Sequence, residues 1–318
     1  MKIFNDIKFI KQILSFSPRQ GVRELLVAEF IENFLSEKDI AFEEQIFETA
    51  FPDCKKAEIR ADGKILACKG TCFVGGKIAS KSHLISSLTS SQNFINTENI
   101  NFNPKSKFLS LSNYYFAPSV CIENSSLSKI ISANKVTAEV KISKIEHQSK
   151  NILVGNIGDP KVIVFSHFDS VEMGAVDNAS GIAIMMRAIM ENPKLLEENL
   201  FVFAGNEELS YDEPVYWGHG YREFEKKYTK LLRGASRLIV IDSVGNGKAV
   251  VSKDSGLQKL AFPIKKLKEF SEKIALIYGD LDRLMEVYHS DGDNISQIKP
   301  EHLDSALLAL KKECSLKY

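Results

Sequence analysis

The sequence predicts an α/β protein with a mixed, largely parallel central sheet covered by helices and an inserted β-rich domain. From Asn151 onward, continuous apolar runs alternate with stretches of helical periodicity, the pattern of buried strands covered on both faces. Residues 53 to about 149 differ in texture: short β-like runs are separated by glycine, asparagine and serine. Amphipathic helices open the chain. With 318 residues, there is enough length for one large domain or two modest ones. Residues 1–52 and 150–318 are therefore expected to form one domain around a 53–149 insertion.

The elements follow in order. Ile3, Ile7, Ile10 and Leu14 recur at helical spacing. Ser17-Pro18-Arg19-Gln20 reads as a capping box with proline at the first helical position, starting a second helix to about Leu35 with Val22, Leu26, Phe30 and Phe34 on one face. Alternation in AFEEQIFET predicts a strand. Within the insertion, KILACKGT, FAPSVCIE and KVTAEVKIS read as strands, and the serine- and asparagine-rich tract from about 80 to 113 as a long loop or lid. GGKIASKSH lacks a full phosphate-loop pattern and reads as a β-turn. Further on, KVIVFSH, NLFVFAG, RLIVID and KAVVSK are strands. Helices lie between them on Ala179, Ile182, Ala183, Met186 and Met190, and on Tyr221, Phe224, Tyr228 and Leu231. A last helix, about Pro300 to Leu310, presents Leu303, Leu307 and Leu310 to a core.

Composition excludes several classes of function. Lys+Arg and Asp+Glu are both 41, so no basic field exists to hold nucleic acid or an anionic membrane. The start lacks the uninterrupted apolar core of a signal peptide. The longest apolar stretch, Ile182 to Met190, is broken by Arg187 and too short to span a bilayer, so a soluble, cytoplasmic protein is expected. Five irregularly spaced cysteines (Cys54, Cys68, Cys72, Cys121, Cys314) argue against a secreted disulfide framework and read as reduced, partly buried thiols.

Five potential metal ligands fall in the second half: His167, Asp177, Glu208, Asp242 and His289, with a further acid, Glu207, beside the third. His167 ends one predicted strand, the Glu207-Glu208 pair follows the next and Asp242 ends the third. In open α/β sheets these carboxyl ends form the crevice where ligands bind. So many carboxylates in one crevice are tolerable mainly when divalent cations neutralise them. Imidazole and carboxylate donors suit zinc first, then cobalt or manganese. A pair of hydroxide-bridged zinc ions with a carboxylate to take the water's proton would make this a hydrolase site.

HFDS at 167–170, GAVDNASG at 174–181, GNEELS at 205–210, IDS at 241–243 and YHSDGDN at 288–294 together resemble the zinc aminopeptidase family that includes bacterial leucyl aminopeptidase, aminopeptidase Y and glutamate carboxypeptidase II. The resemblance covers about residues 150–318 and implies a zinc-exopeptidase fold. It also implies two Zn2+ per chain (Co2+ or Mn2+ as substitutes), with Asp177 bridging, His167 and Asp242 completing one site, and Glu208 and His289 the other. Asp169 would orient the His167 imidazole without touching metal. Glu207 would be the general base. The substrates implied are short peptides cleaved at the amino terminus, since the motifs show no cluster of basic residues to hold a carboxyl terminus. A homo-oligomer is compatible with this.

The chain departs from that family after the acidic pair, where GNEELSYDEPVYWGHGYREFEKK is longer and more aromatic. Tyr216, Trp217, His219 and Tyr221 could line a pocket, although packing is the commoner use of such a cluster. Asp212 and Glu213 read as an acidic surface loop, His219 as exposed, and His83, His147 and His302 as surface residues. Asp291 and Asp293 either orient His289 or cap the following turn, and capping is preferred. In the insertion, FAPSVCIENSSLSKIISANKVTAEVKIS followed by SKNILVGNIGD resembles the end of a protease-associated domain. Two other readings stay open: a single-zinc glutaminyl-peptide cyclotransferase, and a non-catalytic scaffold or receptor relative.

Overall fold

A computed structural model of the chain describes residues 4–79, 83–88 and 95–315. Parts of the 80–113 tract and of GGKIASKSH lie outside these. The chain divides into two compact units, the first comprising Met1–Thr49, His147–Leu284 and Asp293–Tyr318, the second Ala50–Glu146 and Met285–Gly292.

The first unit carries helices α1 (Asp6–Leu14) and α2 (Val22–Ser36). The expected capping box does not form. α2 starts at Val22 behind Gly21, which has φ 57° and no side-chain cap, and Ser17 Oγ instead donates to the Met173 carbonyl at 2.8 Å. Strands β1 (Glu43–Ala61) and β8 (Val136–Gly155) enter both units, while β2 (Lys64–Leu66), β3 (Cys68–Gly70), β4 (Gly76–Ile78), β5 (Leu84–Ser86), β6 (Asn99–Phe102), β7 (Ser119–Ile122) and helix α3 (Leu127–Ser132) lie between them in the second. The remaining strands of the first unit are β9 (Val162–His167), β10 (Asn199–Ala204), β11 (Arg237–Ile241), β12 (Val250–Ser252) and β13 (Ile274–Tyr278). Its sheet runs β12-β13-β11-β9-β10-β8-β1.

β13, β11, β9 and β10 are parallel, and β8 and β12 flank them antiparallel. Every residue of β9, β10 and β11 is buried. With period-2 side chains, Ile163 and Phe165 join Val202, Phe224 and Phe262 in one core. β9 packs against α4 (Ser180–Glu191), and Ser166 Oγ on β9 accepts from Asn178, just ahead of that helix, at 3.0 Å. α4 in turn packs with α1 and with the final helix, Pro300–Ser315. KAVVSK corrects an expectation: β12 is an edge strand, with Val250 and Val251 more than two-fifths exposed. The buried parallel neighbour of β11 is instead IALIY, β13.

The second unit holds a small sheet of Cys68–Gly70, Ser119–Ile122, Asn99–Phe102 and Leu84–Ser86, in that order. Residues 99–102 were expected to lie in a loop. They form a buried parallel strand whose asparagine amides are hydrogen-bonded: Asn101 Nδ2 donates to Asn99 Oδ1 at 3.1 Å and Ser119 Oγ at 2.9 Å. Polar composition thus concealed a buried, hydrogen-bonded strand. Among the described residues no helix is long and apolar enough to cross a membrane.

Candidate metal centre

The carboxyl ends of β9, β10 and β11 lead into the residues of interest. His167 is the last residue of β9 and only 1% exposed. Its Nδ1 lies 3.4 Å from Asp169 Oδ1, while Nε2 lies 3.2 Å from Asp177 Oδ1 and 3.7 Å from Asp242 Oδ1. With Nδ1–H turned to Asp169, Nε2 directs a lone pair at two carboxylates. That arrangement is repulsive unless a proton or a cation lies between them. Ligand atoms of His167, Asp177 and Glu208 all lie within 4.8 Å of one another. Nitrogen and two carboxylate oxygens at this spacing fit a divalent ion of the zinc type.

The electrostatics agree. Burial opposes a charged imidazole, yet the adjacent carboxylates of Asp169, Asp177 and Asp242 hold His167 well above its usual pKa. Burial raises Glu207 well above the carboxylate range, reinforced by Glu208, Asp169 and Asp242 against the lowering effect of His167. Asp242 is raised by burial and by Asp177. Without a cation the cluster therefore holds extra protons.

Each group is positioned by its local backbone. Asp169, fully buried, accepts Glu207 N at Oδ1 (3.0 Å) and Glu208 N at Oδ2 (2.9 Å). The turn after β10 needs Gly205, because a Cβ there would come within 2.6 Å of the Glu24 carboxylate and the Lys150 carbonyl. Asn206 follows in the left-handed region (φ 50°) and ties Nδ2 to the Leu209 carbonyl at 2.9 Å. Asp177 precedes α4, and the Asn178 side chain bridges Ser166 Oγ and the Ile241 carbonyl, joining β9 to β11. Asp242 Oδ1 accepts from Ser243 Oγ at 3.0 Å, and its side chain is 22% exposed.

His289 belongs to the second unit. There its Nδ1 faces the Leu111 carbonyl at 3.1 Å while its own carbonyl accepts Leu111 N at 2.9 Å. A proton on Nδ1 leaves the lone pair on Nε2, the tautomer a metal ligand requires.

Several expectations are corrected. Asp293 neither caps nor orients His289: it accepts Val176 N at 2.8 Å and Asp177 N at 3.1 Å, and Asn294 provides the cap by accepting Ser296 N. His219 is buried, its Nδ1 2.9 Å from Asp212 and its Nε2 3.2 Å from the Glu48 carbonyl. Asp212 is engaged by this ring and by Arg222 Nε at 2.7 Å. Burial works against its charge, but these two partners hold its pKa below the usual range. Tyr221 lies in the core with Phe165 and Phe262. His147 is not a surface residue: its side chain is 9% exposed and its Nε2 lies 3.4 Å from buried Glu24. Sequence reasoning also missed Arg19, whose fully buried guanidinium hydrogen-bonds the turn after His167. Pro18 and the capping pattern drew attention to its backbone instead.

Solved structures share this fold. A zinc aminopeptidase from Bacillus subtilis, BSAP, superposes with TM-score 0.67 at 18% identity, covering 96% of this chain and 94% of that one. An aminopeptidase from Aneurinibacillus sp. strain AM-1 gives 0.59 at 16% over 96% and 92%. A glutaminyl cyclase from Bacteroides thetaiotaomicron gives 0.54 at 12% over 99% of both chains. No curated protein matches the sequence. The α/β sheet carries the ligand cluster at its carboxyl edge, an arrangement that suits a metal-dependent hydrolase. Residues 150–278 match the family model described as Peptidase family M28, and this match supports a zinc metallopeptidase.

Proposed function

We propose that the protein is an aminopeptidase that holds two zinc ions and removes residues from the amino terminus of short peptides. The observation that carries this reading is the His167–Asp177–Glu208 cluster beside a buried, unligated acid, Glu207. In this reading His167, Asp177, Glu208, Asp242 and His289 would hold the ions, with Asp177 shared, His167 and Asp242 serving one and Glu208 and His289 the other. The ions would supply Lewis acidity, lowering the pKa of a shared water and polarising the scissile carbonyl. Glu207 takes a proton from the attacking water and returns it to the leaving amine, a task served by a carboxylate whose pKa burial has raised well above the usual range. Asp169 holds the main chain at Glu207 and Glu208, so base and ligand share one support. The aminopeptidases among the similar folds support peptide hydrolysis at the amino terminus.

The glutaminyl cyclase neighbours support a second reading, cyclisation of an amino-terminal glutamine. One preparation distinguishes them: zinc content is measured, then turnover on aminoacyl chromogenic substrates and on glutaminyl peptides. About two equivalents of zinc with amide hydrolysis are expected. One equivalent, with pyroglutamyl product and no hydrolysis, would replace the aminopeptidase by the cyclase.

A further inference from the structure

Arg19 is the largest fully buried side chain among the described residues. Its guanidinium is directed at the main chain between His167 and Asp177. Nε donates to Phe168 O at 2.6 Å, Nη1 to Met173 O at 2.7 Å and Ser17 Oγ at 2.9 Å, and Nη2 to Gly174 O at 3.0 Å and Asp169 O at 3.4 Å. The Arg19 backbone pairs with Ser170 in both directions, N to O at 3.2 Å and O to N at 3.3 Å. A planar fork of five N–H donors fixes its acceptors more tightly than any other side chain could.

The same turn is held at its far end. Asp293 accepts the amides of Val176 and Asp177, and its backbone carbonyl accepts Ala175 N at 2.9 Å. Gly174, with φ 63°, makes the close approach possible: a Cβ there would lie 2.8 Å from Arg19 Nη2 and 2.4 Å from the Asp177 carbonyl. A buried cation and a buried anion that are not ligands themselves thus fix the segment on which Asp169 and Asp177 stand. The cation also offsets part of the local excess of carboxylate charge.

We propose that Arg19 is a positioning residue for the metal centre, holding the 168–174 turn in its ligand-bearing conformation before metal arrives, so that zinc affinity depends on it. This rests on the reading of His167 and Asp177 as ligands. Lysine at this place keeps the charge but cannot span the same carbonyls, so it separates geometry from electrostatics.

The test is zinc affinity of the stripped full-length chain, measured by competition with a chromophoric chelator for wild type, Arg19→Lys, Arg19→Met and Arg237→Met. Arg237→Met is the structural control. It breaks the buried ion pair with Glu313 at the start of β11, away from the strand ends that carry the site. Arg19→Lys is expected to fold by circular dichroism and bind zinc at least tenfold more weakly, and Arg19→Met more weakly still. Arg237→Met should lower Tm and leave affinity within twofold. Zinc affinity of Arg19→Lys within twofold of wild type, or an equal loss in Arg237→Met, would overturn the inference. Should Arg19→Met fail to fold, the other pair decides. Because no peptide is cleaved in this assay, a wild type that binds zinc but lacks peptidase activity would end the aminopeptidase reading and leave this one standing.

Discussion

Glu207 and Glu208 are chemically identical neighbours with nearly equal exposure, 6% and 5%, yet the backbone aims only the second into the ligand cluster with His167 and Asp177. If Glu207 serves as base, Glu207→Gln removes the proton acceptor while preserving shape. The variant is expected to retain about two equivalents of zinc and lose at least about 100-fold in kcat, measured by metal analysis and steady-state kinetics. A wild-type kcat would take Glu207 out of the mechanism. The residue types of the cluster were legible because imidazole and carboxylates at strand ends are unusual company. The supports of that cluster were not. Asp293 acts on amides more than a hundred positions away, and Arg19 reaches as far. Neither separation leaves a local pattern to read.

Among the elements, β9, β10 and β11 were readable because strands buried on both faces must be continuously apolar. KAVVSK misled because apolarity alone does not distinguish an edge from a centre: two valines make a strand, but Lys248 and Lys253 border an edge that solvent reaches. The loop after Glu208 was read as acidic surface, and its order comes from Arg222. That side chain, 3% exposed, donates to the carbonyls of Val215, Trp217 and Pro263 as well as to Asp212. Gly218 N returns to the Glu207 carbonyl at 2.5 Å, so the loop closes on the proposed base. Arg222→Met is expected to lower kcat/KM about tenfold through misplacement of Glu207, with the protein still folded by circular dichroism. An unchanged kcat/KM would show the clamp to be independent of the site.

At the scale of the whole molecule, the clustered acids set how stability responds to pH. In the metal-free protein, burial lifts Asp293 from an ordinary 3.8 to about 7, opposed by its bonds to Val176 and Asp177 amides. Glu207 and Asp242 are shifted the same way. A folded-state pKa above the unfolded one gives stability that is full below the unfolded value and lost as pH rises through the folded one, here from roughly pH 4 to 7. Differential scanning calorimetry of the chelated protein should therefore show Tm falling between pH 5 and pH 8. Bound zinc reverses the sign, because ligands bind metal deprotonated. At pH 8, chelation is expected to lower Tm by about 5 °C or more. A chelated protein with a flat or rising Tm over this range would mean the acids are not crowded as described.

Asp169 answers two amide hydrogens with its two oxygens while an imidazole stands beside one of them. Asparagine has the same outline but carries a single acceptor, and whichever way it is turned its NH2 meets an incoming N–H head-on. The nearest isostere is thus a poor substitute at this position. Asp169→Asn should weaken zinc retention and slow turnover together, as determined by dialysis followed by kinetics, for one carboxylate sets the stance of acid and ligand alike. The hinge of the chemistry is a symmetry of acceptance that, of the twenty side chains, only a carboxylate possesses.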